Sequence, residues 1–187
     1  AGAEIELASS ISRESKLKRQ LERLEGFDVV LIDCPPSLGI LTLNALTACD
    51  RLLVPIQCEY YALEGVGQLL NNITMIRQHL NPELHISCIL LTMFDARTKL
   101  AEQVADEVKG HFGDVVLRTV IPRSVKVSEA PGYGQTVLEY DPGSRGAMAY
   151  FDAAKEIATR GDYPATGDSP VGAAPQGSVS ADDGEEK

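Results

Sequence analysis

The stretch FDVVLIDCPPSLG, residues 27–39, carries the strongest structural signal in the sequence. Its first seven residues are almost continuously apolar, which is typical of a strand buried on both faces of a parallel sheet. Asp33 ends this run, and Pro35 and Pro36 stiffen the turn that follows. Ligands of open α/β sheets bind beyond the carboxyl ends of the strands, so Asp33 is well placed to hold Mg²⁺ directly or through water. For the isolated pattern, the alternative is an aspartate that caps the next helix or turn.

Three further β-rich runs follow this stretch, and helical patterns alternate with them. The runs span residues 51–56, 85–93 and 115–121. Apolar residues at helical spacing predict helices around 17–24, ended by Gly26, around 63–80, ended by Asn81-Pro82, around 100–108, ending near Gly110, and over 147–158. This alternation predicts an α/β fold, a mostly parallel sheet with helices on both faces.

Charge is distributed unevenly along the 187 residues, of which 27 are acidic and 17 basic. Residues 161–187 hold six acids against Lys187 and are rich in Gly and Pro, which predicts a disordered acidic tail. Residues 1–160 hold 21 acids and 16 bases, a balance that leaves room for a nucleic-acid partner at a local basic patch. No apolar run approaches the ~18 residues of a membrane span. The four cysteines lack metal-site spacing and indicate reduced thiols.

Several long strings resemble the Walker B region, switch II and later segments of the ParA/Soj family of chromosome- and plasmid-partitioning ATPases. These strings are VVLIDCPPSLG at 29–39 with LNAL at 43–46, VPIQCEYYALEG at 54–65, LTMFDART at 91–98 and VIPRSVKVSEAP at 120–131. The resemblance covers residues 1–160 and implies a P-loop NTPase-like domain. The family's deviant Walker A loop, KGGxGK[ST], does not occur in the sequence. We therefore expect the C-terminal portion of such an ATPase, with its N-terminal strands missing.

The resemblance also implies roles for individual residues in an ATP and Mg²⁺ site. Asp33 corresponds to the catalytic Walker B acid that positions Mg²⁺, and residues 37–39 correspond to switch II, which senses the γ-phosphate. Met93 and residues 121–123, namely Ile121, Pro122 and Arg123, would flank the adenine base. The alternative for Met93 and Ile121 is that both are ordinary core residues.

Basic residues form two further groups. By resemblance, Arg97 and Lys126 lie where the family makes nonspecific DNA contacts, and Lys99 and Arg123 are weaker candidates. The predicted helix near residues 17–24 carries a second basic group, for which a solvated amphipathic face is favoured over a DNA surface. Its members are Lys16, Lys18, Arg19 and Arg23. Tyr60 and Tyr61 correspond to a segment that faces the partner subunit in the family's dimer.

For the whole protein, the family implies an ATP-dependent homodimer in the cytoplasm, associated with the nucleoid. It binds DNA nonspecifically and is released when a ParB-type centromere-binding protein stimulates hydrolysis. One alternative is a MinD-like deviant Walker ATPase, which the acidic tail disfavours because a membrane-targeting helix would be basic and amphipathic. Another is a non-catalytic binding module without a P-loop. We expect the 187-residue chain alone to be inactive as an ATPase, and residues 27–33 to lack a neighbouring strand.

Overall fold

The computed structural model describes residues 2–35 and 39–160, and the predicted tail at 161–187 lies outside them. Within these ranges two β-strands and eight α-helices follow one another along the chain. The strands are β1 (Arg51–Gln57) and β2 (His85–Thr92). The helices are α1 (Gly2–Ala8), α2 (Lys16–Leu21), α3 (Ile40–Ala48), α4 (Ala62–His79), α5 (Lys99–Phe112), α6 (Val125–Glu129), α7 (Val137–Tyr140) and α8 (Arg145–Arg160).

The two strands run parallel, as the alternation of strands and helices predicts. Arg51 of β1 pairs with His85 of β2, and the register continues to Gln57 and Thr92 with one irregularity after Leu52. Helix α4 makes the crossover between them. Both predicted strands, 51–56 and 85–93, are therefore confirmed to within one residue at each end.

The predicted strand at 115–121 is only partly formed. A 3-10 turn occupies Gly113–Val115, and the rest of the segment lies beside β2 through isolated bridges. Leu117 N donates to Ile89 O at 2.8 Å, and Ile121 N donates to Leu91 O at 2.8 Å. The segment therefore extends the sheet in parallel without a continuous ladder. Glu156 of α8 satisfies part of its backbone instead, accepting bonds from Arg118 N at 2.8 Å and Thr119 N at 2.9 Å.

Helices cover both faces of β2, so the predicted layer arrangement is confirmed. Side chains of Ile89 and Leu91 pack against α5, whose Val104 and Val108 are buried beneath them. Cys88 and Leu90 point to the opposite face and pack with Ala153 of α8. Successive strand residues thus serve two separate cores, which explains why β2 is apolar along almost its whole length.

The predicted strand at 27–33 is wrong as secondary structure. In the structure this segment is neither strand nor helix, and most of its apolar side chains are exposed, with Leu31 at 89% and Val29 at 72% of full exposure. A parallel strand exists only when neighbouring backbones accept and donate its hydrogen bonds. No strand is paired with this segment among the described residues, as expected above for a run without its neighbour.

Two helices do not end at the glycines where the sequence predicts their ends. Helix α2 ends at Leu21, five residues before Gly26, where the chain adopts a φ of +82°. Helix α5 continues through Gly110 and ends at Phe112, before Gly113 with a φ of +56°. A single glycine inside a helix costs only about 1 kcal/mol, so the tertiary packing of α5 overrides it. Helices α4 and α8 match the predicted helices at 63–80 and 147–158 closely.

Two buried asparagines connect the helices around the sheet. Asn44 of α3 is 3% exposed, and its side chain accepts from Leu17 N at 3.1 Å and donates to Arg13 O at 2.8 Å. Asn81, also 3% exposed, donates to Leu46 O and Cys49 O at 2.9 and 2.6 Å. These bonds fix the position of α2 on α3 and hold the end of α3 beside the start of β2.

Two observations complete the fold. All four cysteines are free thiols, in agreement with the prediction of reduced cysteines. Across the described residues, none of the helices combines the length and the apolar character that crossing a bilayer requires.

Candidate functional site

The chain after β1, the chain after β2 and residues 121–123 meet at one edge of the sheet. Cys58 N donates to Thr92 O at 2.9 Å, which joins the ends of the two strands. Phe94 N donates to Ile121 O at 3.1 Å, and Arg123 N donates to Phe94 O at 2.9 Å. Because the carboxyl ends of parallel strands share one edge, Met93 and residues 121–123 lie together.

An ion pair between Arg123 and Glu59 lies at this edge of the sheet. The guanidinium Nη2 of Arg123 lies 2.5 Å from Glu59 Oε1, and both side chains are about half exposed, at 51% each. The pair links the chain after β1 to the chain beyond residues 116–122, with the end of β2 between them. Because both groups are solvated, the pair contributes little stability and acts chiefly by positioning the Arg123 side chain.

Met93 has an unusual backbone conformation. Its φ is +54°, in the left-handed region that non-glycine residues rarely occupy, and its side chain is half-buried. Such a conformation persists only where the surrounding structure enforces it. The bonds of Phe94 to Ile121 and Arg123 supply that constraint. The strain lies at one of the residues that the resemblance assigns to the nucleotide site.

The other three nucleotide-site candidates differ in accessibility. Ile121 is 2% exposed and belongs to the core beneath α8, so its side chain agrees with the core alternative. Pro122 is half-buried and Arg123 is exposed. Met93, Pro122 and Arg123 therefore present surface at the sheet edge, whereas Ile121 offers its backbone carbonyl to Phe94.

Asp33 lies on the exposed segment 27–35 and does not join the Met93 group by any hydrogen bond or ion pair among the described residues. Its own carboxylate is exposed and makes no such bond with any described residue. The neighbouring Cys34 is also exposed, and the pKa of its thiol is raised by burial and by the charge of Asp33. Two of the switch II candidates, Ser37 and Leu38, lie outside the described residues, while Gly39 is the N-cap of α3.

The Arg97 side chain is held by an aspartate two residues before it. Arg97 Nε and Nη2 donate to the two carboxylate oxygens of Asp95 at 2.9 and 2.7 Å. These side-chain bonds, together with one from the Arg97 backbone N–H, hold the pKa of Asp95 well below its ordinary range. The guanidinium remains 86% exposed, so it is oriented by Asp95 and still accessible to an anion.

Lys126 has a comparable partner on α6. Its Nζ lies 3.1 Å from Glu129 Oε2, and the hydrogen bond raises the pKa of Lys126 and lowers that of Glu129. The ammonium also lies 5.5 Å from the ring centroid of Tyr140, whose hydroxyl donates to the same carboxylate at 3.2 Å. Both DNA candidates thus already carry an internal counter-charge.

No sequence pattern was used to predict the carboxylates that pair with these basic residues. Two of them stand at informative spacings, since Asp95 is two residues from Arg97 and Glu129 is one helical turn from Lys126. Glu59 and Arg123 are 64 residues apart, and only the strand order brings them together. Tyr60 and Tyr61 form an edge-to-face pair beside Glu59, with ring centroids 5.3 Å apart and both side chains exposed.

Comparisons with known proteins find similarity to one family model and to chromosome partitioning proteins. The family model described as AAA domain matches residues 1–86. Sporulation initiation inhibitor protein Soj of Bacillus subtilis is 58% identical over 162 residues, which are 86% of this chain and 64% of Soj. Chromosome partitioning protein ParA of Myxococcus xanthus is 48% identical over 160 residues, 85% of this chain and 56% of that protein.

A solved structure agrees with the fold. Cobyrinic acid a,c-diamide synthase from Mycobacterium smegmatis, with bound ADP and magnesium, is similar with a TM-score of 0.67 and 41% sequence identity. The match covers 84% of this chain and 57% of that chain. The P-loop NTPase-like fold class is confirmed by this likeness. In every one of these comparisons the chain spans less than two thirds of the protein that it matches.

Proposed function

We propose that the chain is part of a partitioning ATPase of the Soj/ParA kind and acts in chromosome or plasmid partition as part of such an ATPase. The similarity to Soj and ParA over 162 and 160 residues of the chain is the observation that carries the proposal. In the proposed cycle an ATP-bound homodimer binds DNA nonspecifically on the nucleoid in the cytoplasm. Hydrolysis stimulated by a ParB-type centromere-binding protein releases it.

Asp33 is the candidate for holding Mg²⁺, and the residues at the sheet edge are the candidates for holding the base of the nucleotide. Asp33 would hold the metal through water, and its exposed carboxylate, which makes no hydrogen bond or ion pair with any described residue, is available for that role. Magnesium commonly takes only one or two carboxylates and completes its shell with waters and phosphates, so a lone aspartate suffices. The metal would neutralise charge on the phosphates during hydrolysis. A magnesium ion bound in this way does not require several protein ligands. Among the described residues, no group of three or more His, Cys, Asp or Glu side chains is placed to hold a metal ion.

The base would lie against the surface that Met93, Pro122 and Arg123 present together. A thioether and a pyrrolidine ring supply flat apolar contact, and the backbone groups beside them can read the edge of the base. Ile121 would support this surface from the core. The Glu59 carboxylate would keep the Arg123 side chain to one side of it.

DNA would be bound through Arg97 and Lys126. Asp95 and Glu129 hold these cations in defined positions, so the ordering entropy of two long side chains is spent within the protein before DNA arrives. The contacts are to phosphates, which accounts for the absence of sequence preference in the proposed activity.

A chimera tests this proposal directly. Residues 1–160 replace the matching part of B. subtilis Soj, so that the Soj N-terminal region supplies the phosphate-binding loop. We expect the chimera to hydrolyse ATP and to bind duplex DNA more tightly with ATP present, whereas the 187-residue chain alone does not hydrolyse ATP. Asp33→Ala should reduce turnover by about 100-fold or more, since it removes the metal contact.

The exposed Asp28 on the same segment gives the matched control, and Asp28→Ala should leave turnover unchanged. Circular dichroism separates loss of activity from loss of folding. A folded chimera without ATP-dependent DNA binding, or with full turnover after Asp33→Asn, would contradict the proposal.

A further inference from the structure

Three basic side chains lie on one exposed face of α2 and of the turn that extends it. Lys16, Arg19 and Arg23 are spaced by three and four residues, which places them on the same side at 100° per residue. The chain stays helix-like past the end of α2, because Glu22 N donates to Lys18 O at 3.0 Å and Arg23 N donates to Gln20 O at 3.2 Å. The three residues are named here the α2 basic face.

The α2 basic face differs electrostatically from the Arg97 and Lys126 positions. Arg97 and Lys126 are each bound to a carboxylate, whereas none of the three α2 residues forms an ion pair or a side-chain hydrogen bond with any described residue. Glu22, the C-cap residue of α2 and one helical turn after Arg19, forms no ion pair or side-chain hydrogen bond with these cations. The three cations are therefore not committed to an acidic side chain among the described residues.

The like charges of the α2 basic face destabilise the helix. Contacts with α3 nevertheless hold α2 in place. Like charges three or four residues apart destabilise a helix. The other side of α2 is anchored on α3 through Asn44, which bonds to the backbone of Leu17 and Arg13. Leu17 and Leu21 are half-buried on that side. A positive face is thus displayed on a rigid support.

We propose that the α2 basic face binds the phosphate backbone of double-stranded DNA, as a second contact surface beside Arg97 and Lys126. The inference rests on the proposed function. Seven residues of helix span about 10 Å, comparable to the axial distance over about three phosphates of one strand. A membrane surface is the poorer fit, because a helix that lies in the interface needs bulky apolar side chains beside its cations, and Gln20 is the residue between them here.

Fluorescence anisotropy with a random-sequence duplex tests the proposal on the 187-residue chain. The triple variant Lys16→Gln/Arg19→Gln/Arg23→Gln is compared with a control that removes the same charge from exposed sites on other helices, Arg77→Gln/Lys109→Gln/Lys155→Gln. We expect the α2 variant to bind about 10-fold or more weakly at 50 mM salt. Its plot of log affinity against log salt should be shallower by about 3, since each lost phosphate contact removes about 0.9. The control should bind like the unmodified chain.

Three outcomes would overturn the proposal: unmodified chain that does not bind the duplex at low salt, equal weakening in both variants, or tighter binding to phosphatidylglycerol vesicles than to DNA. Circular dichroism and thermal unfolding of each variant exclude loss of the fold as the cause. If the α2 variant binds normally while Arg97→Glu in the chimera abolishes ATP-dependent binding, this inference fails and the proposed function stands.

Discussion

Met93, like Ser12, has a positive φ although it carries a side chain. A left-handed φ costs a side-chain-bearing residue about 1–2 kcal/mol, and glycine escapes that cost because it lacks a Cβ. Methionine nevertheless occupies the position in this chain, with a φ of +54° and its thioether half-buried at the sheet edge. Retaining a strained residue at a candidate ligand site is consistent with a role for its side chain.

Paired substitutions at Met93 measure this strain. We expect Met93→Gly to be more stable than Met93→Ala by about 1 kcal/mol, because both remove the thioether and only glycine relieves the backbone. The measurement is the free energy of urea unfolding. Met75, exposed within α4, provides the control, since there alanine should be the more stable by about 1 kcal/mol. If the alanine variant were the more stable one at position 93 as well, Met93 would be unstrained.

Individual site residues could be predicted only in part. Met93, Pro122 and Arg123 converge because they follow adjacent parallel segments, a relation that the order of strands already implies. The partners of the cations are different, because Glu59 reaches Arg123 only through the register of β1 on β2. The burial of Ile121 likewise depends on where α8 packs. These features arise from tertiary contacts that no local pattern contains.

Helix α8 approaches α6 so closely at Gly146 that no side chain fits between them. A Cβ at this position would lie 2.6 Å from Val127 Cγ2 and 3.3 Å from Ser124 Cβ. Val127 is β-branched and restricted in χ1, so it cannot easily rotate away. Because Lys126 is the neighbour of Val127, this contact also positions one of the candidate DNA residues.

Gly146→Ala should therefore destabilise the protein by about 1–3 kcal/mol through overpacking. Val127→Ala in the same chain should restore much of the loss by removing the clashing methyl group. Thermal unfolding gives the measurement. Gly110→Ala serves as the control, because a Cβ there meets nothing within 4 Å and alanine favours the interior of α5. A Gly146→Ala protein as stable as the unmodified chain would contradict the close contact.

Helices with one apolar side and most short apolar strands formed where their sequence pattern predicts. Other elements did not. Helices α4, α5 and α8 have one apolar side, and β1 and β2 are short apolar runs, so local periodicity sufficed. Helix α3, with the sequence ILTLNALTA, is apolar on every side and gave no stripe to recognise. The segment 27–33 has the composition of a buried strand, but a strand also needs a paired neighbour, which composition does not supply.

For the molecule as a whole, segment 27–33 is the largest departure from a closed core. Phe27, Val29 and Leu31 are 69%, 72% and 89% exposed, and their segment has no strand partner among the described residues. An exposed apolar segment with free backbone groups promotes edge-to-edge association. The 187-residue chain should therefore self-associate with increasing concentration.

Sedimentation velocity over a concentration series measures that tendency. Val29→Lys/Leu31→Lys should shift the chain towards monomer, because charges on an exposed extended segment oppose pairing. Ile5→Lys/Ile11→Lys adds the same charge at two exposed isoleucines elsewhere and should leave association unchanged. A monomeric unmodified chain at every concentration, or equal effects of the two variants, would show that this segment does not drive association.

The exposed thiol of Cys34, beside Asp33, makes the chain a ready substrate for site-selective labelling. Cys58 and Cys88 are buried and Cys49 is half-buried, so a maleimide fluorophore reacts first at Cys34. Because its pKa is raised, mildly alkaline buffer is required to generate the thiolate. A dye at this position would sense the surroundings of the metal-site carboxylate and allow nucleotide and magnesium binding to be followed in real time.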